Sequence, residues 1–436
     1  SMQRLATKTL APLVTLIVLM LVGSTLALAQ TTITFGTRSS KTRDALAQAV
    51  INGFEKQHPD ITVQFTPITG DYDDKIGTLF AGGSAPDVME AWADMGITWA
   101  QRGFLLDLAP YVKRDAAELN VSDILPAAWS FPVMRVGPLA GMRFGVPRYL
   151  NVVIFYNNRD LFDNAGLPYP SVSDKNGSWD WDTLVRDGQK LTITGPDGKI
   201  TQWGLKTNDS ISRGAAWAWS AGGDVFDPAN PLHFVLNQGG GLEGMQFLSD
   251  LRWKYGIWLD HAPSFDGGHV AMDNTKATDG LSDMIGSIGK SFNWDVSQVP
   301  LGPAKRGTRT SSDMYVVNKN AKNPDAAWEF VKYLLSPEGQ MLSAKIAGMV
   351  PVRASLYGPY VALNSNKNLA AFFNGANNAQ VDPTATILDS SAVTPMINDA
   401  MDANLSKHAK SMKQALDGAA VQIEAYYKAH YPDLLN

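Results

Sequence analysis

The sequence has no cysteine among its 436 residues. This absence excludes disulfide bonds, thiolate metal ligands and cysteine nucleophiles. It also excludes a lipid anchor attached through an N-terminal cysteine. A protein of this size without cross-links is held together by burial of apolar surface, and the length favours two lobes over one small core.

Basic residues are fewer than acidic residues. Lysine and arginine number 37 against 42 acidic residues, so the formal net charge is −5. Phosphate binding needs a basic face, and we therefore expect no nucleic-acid partner. An apolar content of 45% with 18% charged residues is typical of a soluble globular protein.

Long apolar runs are absent except near the N-terminus, in "MQRLATKTLAPLVTLIVLMLVGSTLALAQ". Arg4 and Lys8 precede an apolar run that ends at Val22, and Ala27 to Ala29 form an A-x-A cleavage site. This pattern predicts a signal peptide over residues 1–29, with Ser1 a cloning remnant, and a soluble exported protein in the periplasm or outside the cell. The alternative is a retained membrane anchor, but the run is shorter than the roughly 20 residues that a spanning helix needs.

Motifs for metal or nucleophilic chemistry are missing as well. The six histidines are scattered, with no His-Glu-x-x-His spacing, and there is no Gly-x-Ser-x-Gly nucleophile elbow. The segment "GGGLEG" matches a dinucleotide-binding pattern, but it lies too deep in the chain for that role. We expect no catalytic metal and no cofactor.

The pattern of apolar residues alternates between strand and helix. "TTITFGT", "ITVQFTPI" and "PDVMEAW" predict strands, and the segments between them predict helices. "ITWAQRGFLLDLAPYV" predicts one further helix. Strand and helix in alternation indicate an α/β fold with largely parallel sheets. Possible crossovers between lobes fall near residues 147, 303 and 352.

Tryptophan is plentiful, with 12 in the chain. An indole face stacks on the C–H face of a pyranose, while carboxylates and arginines bind its hydroxyls. Tryptophan also fills cores, and Trp253 and Trp328, on apolar helix faces, are expected to do so. In "PDVMEAWAD", Asp87 opens a strand and Glu90 lies within it, so only Trp92 and Asp94 are placed at its exit.

Eight segments together resemble the carbohydrate-type extracellular solute-binding proteins of ABC importers. They are "FEKQHPDITVQF", "AGGSAPDVMEAW", "GVPRYLNVVIFYNNRDLFDNAGL", "SWDWDTL", "WSAGGDVFD", "GGHVAM", "WDVSQVPLGP" and "AAWEFVKYLLSPEGQ". The resemblance implies the two-lobed (type II) periplasmic-binding-protein fold with three hinge crossings. Lobe 1 would contain residues 31–147 and 304–352, and lobe 2 residues 148–303 and 353–436.

The resemblance also implies function and a site. Such a protein binds a sugar between its lobes by hinge closure and delivers it to transmembrane permease subunits, and we expect it to be a monomer. The expected ligand-binding residues are Thr37, Arg38, Ser39, Trp92, Asp94, Arg148, Tyr149, Asn151, Ser212, Arg213, Trp217, Asn274 and Lys276. The family's aromatic after "AM" is replaced by Thr278, so the identity of the sugar stays open.

Two other functions remain as alternatives. Three arginines in this set would suit an anionic sugar derivative, such as a uronate, a sugar phosphate or a glycerophosphodiester. A secreted glycosidase would need two carboxyl groups facing each other across the substrate, roughly 5–9.5 Å apart. One strand does not supply such a pair, and we expect binding without hydrolysis.

Overall fold

The computed structural model describes residues 30–170, 179–364 and 366–434. The expected signal peptide, residues 1–29, lies outside the described residues. The described chain folds into two lobes, each built on a five-stranded sheet with helices packed around it. The predicted two-lobed α/β fold is confirmed. Within the described ranges, no helix combines the length and apolarity needed to span a bilayer.

Strands and helices alternate through most of the described chain. The strands are β1 Thr31–Arg38, β2 Ile61–Ile68, β3 Val88–Ala91, β4 Val146–Pro147, β5 Phe155–Asn158, β6 Ile193–Thr194, β7 Ile200–Lys206, β8 Phe226–Asp227, β9 Asn230–Phe234, β10 Val270–Asp273, β11 Trp294–Ser297, β12 Thr308–Thr310, β13 Met314–Val317 and β14 Ala379–Val381. The helices are α1 Lys41–Gln57, α2 Tyr72–Ala81, α3 Ala93–Gln101, α4 Ala109–Arg114, α5 Ala116–Leu119, α6 Pro126–Trp129, α7 Arg159–Asn164, α8 Trp181–Leu191, α9 Ile211–Ser220, α10 Gly239–Trp253, α11 Leu281–Ile288, α12 Pro324–Leu335, α13 Pro337–Ala347, α14 Tyr357–Leu363, α15 Ala370–Ala376, α16 Ser390–Leu405 and α17 Met412–His430.

Each sheet mixes parallel and antiparallel pairs. The first has the order β2-β1-β3-β13-β4, with β1 parallel to both β2 and β3, and β13 antiparallel to its neighbours. The second has the order β11-β5-β10-β7-β6, and only β7 and β10 pair in parallel. The expectation of largely parallel sheets is therefore wrong for the second lobe. Its β5 follows a crossing from the first lobe and pairs antiparallel with β10 and β11.

Three chain segments cross between the lobes side by side, and we call residues 148–153, 308–313 and 349–352 the hinge segments. Val152 and Thr310 form an antiparallel bridge. The Leu150 N–H donates to the carbonyl of Val350 at 2.8 Å, and the Arg148 N–H donates to that of Asp313 at 2.9 Å. They lie near the predicted crossovers, while the division of the lobes at residues 147, 303 and 352 stays a prediction.

One predicted helix is broken. Helix α3 ends at Gln101, Gly103 adopts a φ of +73°, and Leu105 then forms a bridge with Asn318 before α4 begins. The expectation of one helix through "ITWAQRGFLLDLAPYV" is wrong, because the left-handed conformation at Gly103 turns the chain so that Leu105 pairs with Asn318, just after β13.

The two tryptophans expected in the core differ. Trp328 is fully buried, and its indole N–H donates to Asp115 Oδ2 at 2.7 Å. Trp253 is 41% exposed and stacks on His408, with ring centroids 4.3 Å apart. The core prediction is confirmed for Trp328 and wrong for Trp253, which lies at the end of α10 where the apolar face runs out.

Candidate functional site

In the first lobe, the candidate residues lie where β1 and β3 end. Thr37 is 4% exposed, within β1, and Arg38 ends that strand with an exposed side chain. The Ser39 hydroxyl donates to Asp44 Oδ2 at 2.9 Å, so its side chain is engaged with the first turn of α1. Of these three residues, Arg38 has the side chain most open to solvent.

Trp92 and Asp94 lie together at the exit of β3. Trp92 is the residue preceding α3, and its half-buried ring lies 5.3 Å from that of Tyr72. Asp94 is exposed in the first turn of α3, where the helix dipole favours a carboxylate. Burial and the nearby Asp94 carboxylate raise the pKa of Asp73. An aromatic ring and two acids therefore share this end of the sheet.

Beneath this surface lies a buried ion-pair cluster. Glu90 is 1% exposed, and its carboxylate lies 2.5 Å from Nη1 of Arg43 and 2.5 Å from Nη1 of Arg148. Burial alone would lower the pKa of Arg148, but Glu90 outweighs it and raises that pKa. Arg148 is 2% exposed and has its partner inside the lobe. Its contact with a ligand stays a prediction.

Tyr149 and Asn151 lie in the first hinge segment. Burial and the nearby Asp313 carboxylate raise the pKa of Tyr149. Asn151 is 8% exposed, and its side-chain Oδ1 has no hydrogen-bond partner among the described residues. Tyr149 and Asp313 interact electrostatically with Arg148 on one side and with Asp279 of the second lobe on the other. These residues thus lie between the candidate residues of the first lobe and those of the second.

In the second lobe, helix α9 carries three candidates. The Ser212 hydroxyl donates to Asp382 Oδ2 at 2.6 Å. Arg213 Nη1 is buried and has no hydrogen-bond partner in the described part of the chain. Trp217 is 4% exposed, and its ring lies 6.1 Å from that of Trp181, so most of its surface packs in the core.

The loop after β10 carries Asn274 and Lys276. The Asn274 N–H donates to the carbonyl of Lys206 at 3.1 Å, while its Oδ1 is buried without a partner among the described residues. Lys276 is half-buried, and its charge opposes the rise that burial causes in the pKa of Asp273. Thr278 is fully buried and its hydroxyl donates to the carbonyl of Leu150 at 2.6 Å.

Three of the predicted residues line one cavity. Arg213, Trp217 and Asn274 surround it, with a water-accessible volume of about 10 Å³, together with Val153 of the hinge and Val299. That volume is roughly the room for one water molecule. In this conformation the cavity is too small for a sugar ring. The first-lobe group around Trp92 does not line it.

Three further charged residues belong to this region and were missed from the sequence. Arg309 Nε donates to Asp382 Oδ2 at 2.6 Å, and its Nη1 is buried without a partner among the described residues. Part of the Asp279 side chain is exposed, but loss of hydration around its carboxyl group raises its pKa, and the charges of Arg213 and Arg309 oppose that rise. No local spacing could reveal the pair of Arg309 and Asp382, which are 73 residues apart. Arg309 could have been suspected only from its place near a predicted crossover.

The described residues hold no group of three or more His, Asp or Glu side chains arranged for a metal ion. What the site offers is a mixture of guanidinium donors, amide oxygens and carboxylates beside a set of hinge segments. Such a mixture suits recognition of hydroxyl or anionic groups on a small polar molecule.

Two lobes, three hinge segments and polar side chains beside them define a two-lobed ligand-binding protein. The profile of the bacterial extracellular solute-binding protein family matches residues 38–341. The chain belongs to this family.

Curated relatives are distant in sequence. A protein of Brucella abortus described as a binding protein is 23% identical over 362 residues, which are 80% of this chain and 80% of that protein. An Escherichia coli protein described as an ABC transporter periplasmic-binding protein is 29% identical over 172 residues, 39% of this chain and 36% of that one.

Solved structures share the fold. The Listeria monocytogenes ABC substrate-binding protein in complex with cycloalternan has a TM-score of 0.72 at 22% identity, covering 91% of this chain and 99% of that one. The sugar-binding protein MalE of Xanthomonas citri has a TM-score of 0.73 at 19% identity, covering 91% and 97%. At these identities the likeness establishes the two-lobed architecture and no ligand.

Proposed function

We propose that this protein is the substrate-binding component of an ABC import system, which captures a sugar between its lobes and delivers it to transmembrane permease subunits. One observation carries the proposal. Arg213 Nη1, Arg309 Nη1 and the Oδ1 atoms of Asn151 and Asn274 are buried without partners in the described chain. A buried polar group without a partner costs about 1–3 kcal/mol, and ligand hydroxyls would supply the missing hydrogen bonds.

The unpaired atoms include both hydrogen-bond donors and acceptors, and this mixture favours a sugar as the ligand. A hydroxyl both donates and accepts, so one polyhydroxylated ligand can satisfy guanidinium donors and amide oxygens together. The names of the structural relatives support the same class, since they mention cycloalternan, maltotriose and tagatose as bound molecules. The description of the Escherichia coli relative as an ABC transporter protein supports the import role. We propose that the protein acts outside the cytoplasmic membrane, as a soluble monomer.

Capture would work by closure of the hinge. A ligand shifts the balance between open and closed lobes only if it contacts both lobes in the closed form. Trp92 and Asp94 would provide contacts from the first lobe, and Arg213 and Asn274 from the second. The hinge segments, hydrogen-bonded to one another, are the part that bends between them.

Binding without hydrolysis is part of the proposal. Glu90 is committed to two arginines inside the first lobe, and it is 1% exposed. Asp94 is exposed just after β3, and its acidic neighbour Asp73 lies at the same end of the first sheet rather than on the other lobe. The opposed acid pair of a glycosidase is not formed by these two residues.

A ligand screen tests the function. Melting temperatures of the purified protein are measured with neutral mono-, di- and oligosaccharides and with their acidic derivatives. A true ligand raises the melting temperature by mass action and makes the protein more compact in small-angle scattering. Amino acids serve as a control class with no expected effect. Stabilisation by amino acids and by no sugar would contradict the proposal.

A further inference from the structure

We propose that the sugar carries an anionic group, a carboxylate or a phosphate, which binds between Arg213 and Arg309. This inference rests on the proposed function and names the ligand class of the same site. Arg213 lies on α9 and Arg309 in the second hinge segment, and Ser212, next to Arg213, shares the Asp382 carboxylate with Arg309. Nη1 of each arginine is buried without a hydrogen-bond partner among the described residues.

Of the two arginines, Arg213 is the one without an ion-pair partner in the described chain. Its guanidinium forms no ion pair or hydrogen bond with any described residue, although it is largely enclosed beside the cavity. Burial, together with repulsion from Arg309, lowers the pKa of Arg213 to about 10. A buried charge is normally paired, because removing it from water is expensive. An anionic ligand would provide the counterion that the protein does not.

Arg309 is held in a fixed orientation. Its Nε donates to Asp382 Oδ2 at 2.6 Å, and that carboxylate also accepts from the Ser212 hydroxyl at 2.6 Å. The side chain of Arg309 is 11% exposed, and its buried Nη1 is left unpaired. A preoriented guanidinium beside a second one can bind a carboxylate or phosphate through parallel hydrogen bonds.

Asp279 is an acidic group whose charge acts on both arginines and would repel a bound anion. It is solvent-exposed, and its charge stabilises both guanidinium groups, yet it forms no direct ion pair with either among the described residues. A ligand anion would take over the role of counterion at close range and would be repelled by Asp279. Removing the charge of Asp279 should therefore strengthen binding of an anionic sugar, whereas a neutral sugar gains nothing from it.

The inference is tested by comparing neutral sugars with anionic derivatives of the same sugars. Calorimetry compares glucose, galactose and mannose with their uronates and their 6-phosphates, using wild type, Arg213→Gln, Asp279→Asn and the control Arg102→Gln. Arg102 is exposed on the first lobe, so its loss should change nothing. We expect at least one anionic sugar to bind ten times more tightly than its neutral counterpart. Arg213→Gln should remove that preference, and Asp279→Asn should increase the anion's affinity several-fold.

The outcomes separate this inference from the proposed function. Uronates as the tightest ligands assign the anion as a carboxylate, and 6-phosphates assign it as a phosphate. Neutral sugars that bind as tightly as their anionic counterparts overturn the inference and leave the sugar-binding function intact. Absence of binding by every sugar, in this set and in the longer oligosaccharides, overturns the proposed function and this inference with it.

Discussion

Arg148 Nη1 lies 2.5 Å from Glu90 Oε2, with side chains 3% and 1% exposed. Glu90 belongs to the middle of β3 and Arg148 to the first hinge segment, so this ion pair fastens the first sheet to the hinge. The second carboxylate oxygen of Glu90 binds Arg43 of α1 at the same distance, 2.5 Å. Strand, helix and hinge thus meet at one buried carboxylate.

Neutralising that carboxylate should destabilise the fold. Glu90→Gln keeps the shape of the side chain but leaves Arg148 buried without a counterion, so the free energy of unfolding should fall by about 3–5 kcal/mol. Urea denaturation followed by circular dichroism measures it. Glu424→Gln is the matched control, because Glu424 pairs with Lys428 in an exposed position, and it should leave stability unchanged. Equal effects of the two substitutions would contradict the structural role assigned to Glu90.

Two helical glycines should respond oppositely to alanine. A Cβ on Gly244 of α10 would lie 2.3 Å from the carbonyl oxygen of Trp217 in α9, whereas a Cβ on Gly77 of α2 meets nothing within 4 Å. Gly244→Ala should destabilise the protein by about 1–3 kcal/mol through overpacking. Gly77→Ala should stabilise it by about 0.5–1 kcal/mol through a lower entropy of the unfolded chain. Thermal unfolding of both variants measures this, and the prediction fails if Gly244→Ala is neutral.

Loss of the Asp94 charge should weaken sugar binding without affecting the fold. Asp94 is exposed, so Asp94→Asn should leave the melting temperature of the free protein unchanged while raising the Kd for the ligand about 10-fold, since hydrogen bonds to charged groups contribute about 1.5–3 kcal/mol. Asp399→Asn, an exposed acid on α16, is the control. Turnover of a glycoside that Asp94→Asn abolishes would instead establish an enzyme.

The stabilising effect of Asp389 should depend on pH. Burial alone would raise its pKa, but hydrogen bonds from Tyr426, Ser391 and Tyr431 outweigh burial and hold the pKa below the usual 3.8. The folded state therefore favours the carboxylate, and its contribution is complete above about pH 4 and is lost as the pH falls through the lowered pKa.

Asp389→Asn tests this. Residue 389 has a φ of +51°, which asparagine tolerates. The stability difference between wild type and variant, measured by urea denaturation from pH 7 down to pH 3, should shrink below pH 4. A difference that stays constant across this range would show that the charge of Asp389 is not what stabilises the C-terminal helices.

Local patterns predict most of the first lobe. Alternating apolar residues in "ITVQFTPI" predict β2, and Pro324 and Pro337 mark the first turns of α12 and α13, as the structure has them. The break after α3 was missed because Gly103 is one glycine among many, and its left-handed conformation depends on the pairing of Leu105 with Asn318 far along the chain.

The candidate site was predictable only where a residue follows a recognisable strand or begins a helix. Trp92 was predicted in that way, at the end of β3, whereas Asn274, after β10, was predicted only through the family resemblance. The Arg309–Asp382 pair was not, because the partners come from separate segments and meet only through tertiary packing, with Ser212, 170 residues from Asp382, as the third member. Long-range pairs of this kind leave no trace in local periodicity.

The hydroxyl of Thr278 couples the loop after β10 to the first hinge segment. It donates to the Leu150 carbonyl at 2.6 Å and accepts from the Val152 N–H at 3.2 Å. The Thr278 N–H also donates to the Val152 carbonyl at 3.0 Å, so three hydrogen bonds link the end of the loop that holds Asn274 and Lys276 to the first hinge segment. A displacement of that loop would therefore also displace the first hinge segment. If the protein captures its ligand by hinge closure, opening of the lobes would move the hinge and this loop together.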